Sequence, residues 1–391
     1  MDFQKYLPRI VFVSEISRVR SFTRWETMPE SFAVESRELL HSDSASAVKE
    51  QLREKFPAIS TFLVPNAEIR FNRRASVMLF RGRLLVPSGT EPTPLDFGPI
   101  DKSRRPGAPV WQWWRMNVFE GSSPTKQLEA AIFIGSRAPD NYYHWLINGV
   151  LKVFVANQGV QLSPEIPLLV PSAVEKWPQL REALAFVAKE RKIVFFTEQD
   201  VIHVEELFVL DPPPASDTPL SRNVRRRVPL RVHREALRAF RAEVLAKVVT
   251  PVTTTGPRIR LFLLKPPDHP NAANQSELLE ALLSLDFIAI EPEKMSFFQQ
   301  VAIFSQAECV VGASGAGFTN ILFAPAGCVS ILWKSKNLVR ENFFANLAEI
   351  AEGHVYCLEF NQRDGGGPRE VDPKLLVETL VRAGVAGSVG S

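Results

Sequence analysis

The sequence predicts an α/β protein with two domains, preceded by an irregular β-containing N-terminal region. Three observations carry this prediction: strand-like and helix-like segments alternate from about residue 130, a proline-rich stretch interrupts them at residues 211–219, and a second alternating series follows. Such alternation is typical of parallel sheets covered by helices on both faces. We therefore expect an N-terminal α/β domain at residues 1–215, a C-terminal one at 216–364, and a helix with a tail at 365–391.

In the first half, short apolar runs predict strands, whereas apolar residues recurring every three or four positions predict helices. The predicted strands are residues 76–80, 83–86, 130–134, 167–170, 193–196 and 207–210, and the predicted helices are 141–156 and 177–189. Prolines then remove backbone donors and fix φ within residues 211–219, so this stretch is predicted to be a linker.

In the second half, a long helix is predicted at residues 230–248, with Pro229 suited to its first turn. The same criteria predict strands at 260–264, 287–290, 309–311 and 329–332, and helices at 276–285, 296–305, 318–323 and 373–383. Ligands of such sheets bind at the carboxyl ends of the strands, so we expect the ligand-binding site of this domain at those ends.

The bulk properties exclude several classes of protein. The chain has 391 residues, and its 45% hydrophobic content is enough for sizeable cores. The sequence has no run of about 18 apolar residues, and residues 1–5 do not resemble a secretory signal, so we expect a cytoplasmic protein. Cys309, Cys328 and Cys357 show no metal-binding spacing, so we expect buried thiols, no metal site and no disulfide framework.

Arginine is concentrated in one segment, although the net charge is only +3. The residues are Arg222, Arg225, Arg226, Arg227, Arg231, Arg234, Arg238 and Arg241. Aromatic residues do not interleave with them as nucleic-acid stacking would require, so we expect no nucleic-acid partner. A solvated helix face and a peripheral contact with the inner face of a membrane are the two remaining interpretations.

A glycine-rich turn follows the predicted strand at residues 309–311. Its sequence is Gly312-Ala313-Ser314-Gly315-Ala316-Gly317-Phe318-Thr319-Asn320. Glycines let the backbone approach a ligand closely, and the N–H groups of a helix that starts after such a turn favour phosphate. The spacing is neither GxGxxG nor that of a P-loop. The turn is thus a candidate phosphate or diphosphate site, and a simple packing turn is the alternative.

The second unusual segment is Asp140-Asn141-Tyr142-Tyr143-His144-Trp145-Leu146-Ile147-Asn148, at the start of a predicted helix. Asp140 or Asn141 can cap that helix, which leaves His144 about one turn inside it. Imidazole titrates near neutral pH and can take a proton from a hydroxyl group. The alternative is an aromatic packing cluster with His144 as a satisfied core histidine.

Taken together, the NYYHW segment and the GASGAGFTN loop with FAPAG downstream resemble glycosyltransferase family 61. The resemblance extends through residues 296–304 and 258–265 with Asn274 beyond, and it covers about residues 125–335. Members of this family join sugars from nucleotide-sugar donors to glycans or proteins. Bacterial members are associated with capsular and other surface polysaccharides.

The resemblance implies a GT-B architecture, with two Rossmann-like domains facing across a cleft, and an inverting transfer that needs no cofactor or obligatory metal. It implies that a nucleotide-sugar, here expected to be a UDP-sugar, contacts Gly312, Ser314, Gly315, Ala316, Gly317, Phe318, Thr319, Asn320, Lys265, Arg260 and Asn274. His144 would be the general base, with Asp140 and Asn148 as further catalytic candidates. Asn141, Tyr143 and Trp145 would contact the saccharide acceptor.

Several positions depart from the family's pattern. Ser314 replaces a histidine, Lys265 an arginine, and Leu332 a glutamate that commonly contacts ribose. Asn148 stands where an acidic residue is usual, and an amide cannot act as a base. These changes leave open a catalytically weak or inactive nucleotide-sugar-binding or glycan-binding protein. A dinucleotide-dependent oxidoreductase is a third interpretation, disfavoured because GxGxxG is missing.

Overall fold

The computed structural model describes residues 10–12, 24–28, 31–39, 48–56, 58–72, 75–80, 83–86, 123–135, 138–158, 162–211, 215–216, 231–248, 258–266, 274–335, 343–360 and 370–386. The chain divides into two compact units. The first comprises Met1–Phe32 with Lys55–Ala236, and the second comprises Ala33–Glu54 with Leu237–Ser391. Both units contain a sheet rich in parallel pairs and packed with helices, which confirms the predicted α/β class. The boundaries expected at residues 215 and 364 stay a prediction.

Eleven strands precede the predicted linker in the described part of the chain. In order they are β1 (Ile10–Phe12), β2 (Arg24–Met28), β3 (Ser31–Leu39), β4 (Val48–Phe56), β5 (Ile59–Asn72), β6 (Ala75–Phe80), β7 (Arg83–Val86), β8 (Lys126–Phe133), β9 (Leu168–Pro171), β10 (Ile193–Phe196) and β11 (Val201–Asp211). The helices here are α1 (Tyr142–His144), a π-helix (Trp145–Val150), α2 (Leu151–Gln158), a 3-10 helix (Ser172–Lys176) and α3 (Pro178–Ala188).

The first sheet joins an antiparallel part to a parallel part. Its order is β1-β7-β6-β5-β11-β8-β9-β10, with β2 also paired to β5, while β3 and β4 pair with each other. Strand β11 is antiparallel to β5 and parallel to β8, so it is the junction between the two parts. Alternate residues of β5 and β11, among them Val64, Leu207 and Val209, are buried in one core with Phe133 of β8. Strands β1, β2, β5, β6 and β7 are therefore built into the same sheet as the βα series.

The predicted linker contributes one strand to a short ladder. Strand β12 (Ala215–Ser216) pairs antiparallel with β13 (Arg231–Val232). Residues 212–214 and 217–230 lie outside the described residues, and with them Arg222, Arg225, Arg226 and Arg227.

The second unit has strands β14 (Ile259–Leu263), β15 (Phe287–Ile290), β16 (Ala307–Ala313), β17 (Val329–Ser335) and β18 (His354–Phe360). Its helices are α4 (Arg234–Val248), α5 (Gln275–Leu283), a 3-10 helix (Pro292–Lys294), α6 (Phe297–Phe304), a second 3-10 helix (Ala316–Phe323), α7 (Phe343–Ile350) and α8 (Pro373–Arg382). All but the first three residues of α4 belong to the second unit.

The second sheet is parallel throughout and runs β15-β14-β16-β17-β18. Phe262, Val311 and Ile331 share a core with Leu376 and Leu380 of α8. Leu261 and Val310 alternate with these residues along the strands and are equally buried, so apolar side chains cover both faces of the sheet. This is the doubly wound arrangement, and its strand order reverses between β14 and β16.

Two predicted helices differ in detail from the structure. The predicted helix at residues 141–156 is α1, the π-helix and α2 in succession, and the one at 318–323 is a 3-10 helix that begins at Ala316. Within the described ranges, no helix combines the length and the apolar character that crossing a membrane requires.

Candidate functional site

The glycine turn lies where the second sheet reverses its strand order. Strand β16 ends at Ala313 and runs into Ser314 and Gly315, and β14 ends at Leu263, two residues before Lys265. Strand β15 flanks β14 on the other side and leads to Glu293 in the 3-10 helix Pro292–Lys294. Because parallel strands end at one edge of a sheet, the turn, the lysine and the glutamate meet at the same edge. Ligands of doubly wound sheets bind at this kind of reversal point.

Two glycines of the turn lie in close contact with residues that follow or end β14. A Cβ at Gly312 would lie 2.9 Å from the Cβ of Leu263 and 3.0 Å from its carbonyl oxygen. A Cβ at Gly315 would lie 2.7 Å from the Nζ of Lys265. Gly315 itself has extended backbone, with φ 173° and ψ 174°, so its missing side chain serves to admit the ammonium group. The lysine head therefore lies directly against the turn.

Three N–H groups remain available beside that ammonium. Ser314 donates its N–H to the carbonyl of Trp333 (2.9 Å), and Phe318 donates to Gly315 (3.0 Å). Among the described residues, the N–H groups of Gly315, Ala316 and Gly317 have no acceptor, as expected at the first turn of a 3-10 helix. An ammonium and several N–H groups without acceptors on one turn can bind an anion.

Lys265 is held firmly although its head is charged. It is 7% exposed, and its Nζ lies 3.3 Å from Oε1 of Glu293. Its backbone pairs with the side-chain amide of Gln275: the Lys265 N–H donates to Oε1 (3.0 Å), and Nε2 donates to the Lys265 carbonyl (2.9 Å). The amide thus continues the hydrogen bonding of the ladder beyond the end of β14.

Four of the remaining predicted donor residues make contacts within the fold. Thr319 and Asn320 are fully buried, and they bond to the Ala316 carbonyl (2.6 Å) and to Gln300 (2.6 Å), so they brace the turn. Phe318 is buried as well. Asn274 bonds to both backbone groups of Val371. These contacts support structural roles.

Arg260 lies near the start of β14, whereas the glycine turn is at the opposite edge of the sheet. It pairs with Glu308 (2.6 Å) and donates to the Leu285 carbonyl (3.0 Å). The structure therefore does not bring Arg260 together with Lys265, and we leave it out of the site.

Arg241, a member of the arginine-rich segment, contacts the 3-10 helix that follows the glycine turn. Its guanidinium donates to the carbonyls of Leu322 (2.7 Å) and Ala324 (2.8 Å), which end the 3-10 helix that follows the glycine turn. Burial lowers the pKa of this guanidinium. Arg241 therefore fastens the far end of that helix and is not available to a membrane surface, whereas Arg238 is exposed.

In the first unit, His144 follows a capped helix start. The cap is Asn141, whose Oδ1 accepts the His144 N–H (3.2 Å), while Asp140 is exposed in the preceding turn. His144 is half-buried, and its ring meets that of Tyr143 edge to face at 5.3 Å. The imidazole is thus fixed at the start of the helix and partly open to solvent.

Trp145 has a packing role. It is 0% exposed, and its Nε1 donates to the carbonyl of Leu180 (3.0 Å). Gly149, one turn later, leaves room for the indole, because a Cβ there would lie 2.6 Å from Cζ3 of the ring. The structure therefore assigns Trp145 to the core rather than to an acceptor surface. Tyr143 is also buried, at 6% exposure.

Asn148 is the polar neighbour of His144. Its Nδ2 lies 3.4 Å from the His144 Nδ1, and the residue is 7% exposed. Its Oδ1 is buried without a hydrogen-bond partner among the described residues. An amide N–H donated to Nδ1 puts the imidazole proton on Nε2, whereas the reversed amide would accept from Nδ1 and leave Nε2 able to take a proton. Asn148 is therefore placed to select the tautomer of His144.

Glu293 and the brace formed by Arg241 were not predicted from the sequence. Glu293 follows the end of a predicted strand, but its nearness to Lys265 depends on the strand order. In the described part of the chain, no group of three or more His, Cys, Asp and Glu side chains is arranged to hold a metal ion.

Comparison with known families bears on both segments. The model of the family Glycosyltransferase 61 matches residues 142–331, a range that contains His144 and the whole glycine turn. No curated protein matches the chain. Residues 142–331 of the chain thus match glycosyltransferase family 61, and this match supports a transferase of sugars.

Proposed function

We propose that this protein transfers a sugar from a nucleoside-diphosphate sugar, specifically a UDP-sugar, to a saccharide acceptor with inversion at the anomeric carbon. The observation that carries the proposal is the Lys265 ammonium lying against Gly315, beside the available N–H groups of residues 315–317. A departing diphosphate gains negative charge as the glycosidic bond breaks, and oriented N–H groups with a nearby cation stabilise such charge. Because these groups can supply that stabilisation, we propose a metal-independent reaction.

His144 is the proposed general base. Inversion needs one base to take the proton from the attacking hydroxyl, and an imidazole at the surface of its unit suits that role. This requires the Nε2 lone pair, and hence an Asn148 amide that accepts from the Nδ1–H. Such an amide orientation supports the base without adding a charge, which a carboxylate at position 148 would do.

The family resemblance supports the rest of the proposal. It implies a GT-B arrangement and an acceptor that is a glycan or lipid-linked saccharide of a surface polysaccharide pathway. The free thiols of Cys309, Cys328 and Cys357 suit a reducing compartment, so we place the reaction in the cytoplasm. Arg234 and Arg238 of α4 are the described arginines proposed to approach an anionic membrane surface.

Ligand-induced stabilisation tests the donor. The purified protein would be titrated with UDP, GDP, CMP and NAD+ by calorimetry and thermal unfolding, without divalent metal and then with Mg2+ or Mn2+. A ligand that binds the folded state alone must raise the unfolding midpoint. We expect UDP to do so without metal. No stabilisation by any nucleotide would contradict the proposed donor site, and stabilisation by NAD+ alone would favour an oxidoreductase.

A catalytically weak or inactive sugar-nucleotide-binding protein is the second candidate. It is favoured by Asn148, an amide rather than a carboxylate in contact with the His144 Nδ1, and by the burial of Leu332 at 2% exposure. UDP-sugar turnover separates the two candidates. Suppose that His144→Ala binds UDP as the wild type does and that both show the same negligible turnover over a panel of acceptors. The protein is then a sugar-nucleotide-binding protein and not an active transferase.

A further inference from the structure

Glu293 occupies the one charged contact that the structure describes for the Lys265 ammonium. Its Oε1 lies 3.3 Å from Nζ. The side chain of Lys265 is 8% exposed, whereas that of Glu293 is 43% exposed. The cation is therefore fixed inside the turn, and the carboxylate reaches it from the solvent side.

A buried ammonium without a counter-charge is costly, because burial removes its hydration. Glu293 supplies that counter-charge in the unliganded protein. A diphosphate bound to the N–H groups of residues 315–317 would supply it in the liganded protein. Two anions at one ammonium repel each other, so the carboxylate and the diphosphate cannot both keep their best contact with Nζ.

We propose that Glu293 is an internal counter-anion, which neutralises Lys265 while the site is empty and gives way to the diphosphate group of the donor. The inference rests on the proposed function, because it takes the turn to be a diphosphate site. It predicts that the carboxylate weakens diphosphate binding although it stabilises the unliganded fold. A residue that merely supports the fold would have the opposite effect on binding, or none.

The chain offers a matched control two residues away. Glu291 precedes the same 3-10 helix and pairs with Lys294 (2.7 Å), which is 73% exposed. Glu291→Gln and Glu293→Gln thus remove the same charge, but only the second removes the partner of Lys265. Any effect of net charge alone appears equally in both variants.

The experiment compares wild type, Glu293→Gln and Glu291→Gln by calorimetric titration with inorganic pyrophosphate and with UDP. For Glu293→Gln we expect pyrophosphate to bind about three- to fivefold more tightly, the scale of a partly exposed ion pair. The unfolding midpoint without ligand should fall, because Lys265 loses its partner, and its rise on adding pyrophosphate should be larger than in the wild type. Glu291→Gln should behave as the wild type. Glu293→Ser, which also removes the carboxylate, should reproduce the gain if Glu293→Gln expresses poorly.

Each result has a distinct meaning. If pyrophosphate and UDP bind the wild type and binding by Glu293→Gln is equal or weaker, the counter-anion role is wrong while the donor site stands. If both glutamine variants gain affinity equally, the effect is one of net charge, and the role is again wrong. If neither ligand binds any variant, the donor site itself fails, and the counter-anion role fails with it.

Discussion

Replacing Gly315 by alanine should weaken nucleotide binding without unfolding the protein. The new Cβ would lie 2.7 Å from Nζ and 3.0 Å from Cε of Lys265. Either the alanine or the end of the lysine side chain must therefore move by close to an ångström to reach ordinary van der Waals contact. The end of a lysine side chain is the softer of the two. Since the backbone of Gly315 is extended, alanine can adopt it, and we expect the free energy of unfolding to change by less than about 1 kcal/mol.

The main effect of Gly315→Ala should be a lower affinity for UDP. A hydrogen bond to a charged group contributes about 1.5–3 kcal/mol, so displacing the ammonium should weaken UDP binding about 10- to 100-fold. Calorimetric titration measures the affinity, and urea unfolding checks that the variant is folded. Gly317→Ala is the control, because its Cβ would lie no closer than 3.4 Å to any neighbouring atom, the nearest being Cγ of Pro292, and this variant should bind UDP normally.

A double variant that combines Gly315→Ala with Lys265→Met tests why the affinity for UDP falls. If alanine acts by displacing the ammonium, Gly315→Ala should add little to the loss already caused by Lys265→Met, since both remove the same contact. Fully additive losses would mean that the turn itself was deformed. A folded Gly315→Ala protein that binds UDP as the wild type does would refute the role given to Lys265.

Three further predictions concern the proposed base and the two cores. His144→Ala should lower UDP-sugar turnover at least about 100-fold while leaving UDP affinity unchanged, and a parallel loss of affinity would argue against a base. Gly149→Ala should lower the free energy of unfolding by about 1–3 kcal/mol, measured in urea, because its Cβ collides with the Trp145 ring, whereas an unchanged value would show that the helix yields. Burial raises the pKa of the Cys328 thiol to about 12 from an ordinary 9.0, so its contribution to stability is intact below pH 9 and is lost as the pH rises toward 12. Above pH 9 the thiol should make the free energy of unfolding of the wild type fall by about 1.4 kcal/mol per pH unit. Cys328→Ala should lack this contribution, so its free energy of unfolding should fall less steeply with pH, and an equal slope in both proteins would contradict the burial of the thiol.

Local signals predicted the second sheet well. Short apolar runs gave β14, β15, β16 and β17 to within a few residues, since parallel strands, above all those at the centre of the sheet, are rich in apolar residues. The glycine turn was predicted at the end of β16 for the same reason. Its contact with Lys265 follows from strand order, which the period of apolar residues does not specify.

Other features depend on contacts between distant residues. Trp145 resembles an acceptor platform in sequence, but its indole is buried because Leu180 supplies an acceptor and Gly149 leaves space for the ring. The pairing of Lys265 with Glu293 likewise joins residues that no short motif links. The positions of such side chains follow from the assembled sheet, so sequence motifs indicated the region of the site and missed part of its chemistry.

The pairing of β5 with β11 bears on how the protein is made. Ile69 is registered with Ile202, so a ribosome must add about 130 residues after β5 before its central partner exists. Until then one edge of a long apolar strand stays exposed, and such edges invite association with other chains. We expect the first unit to refold slowly from urea and in lower yield as the protein concentration rises, with a holdase chaperone restoring the yield.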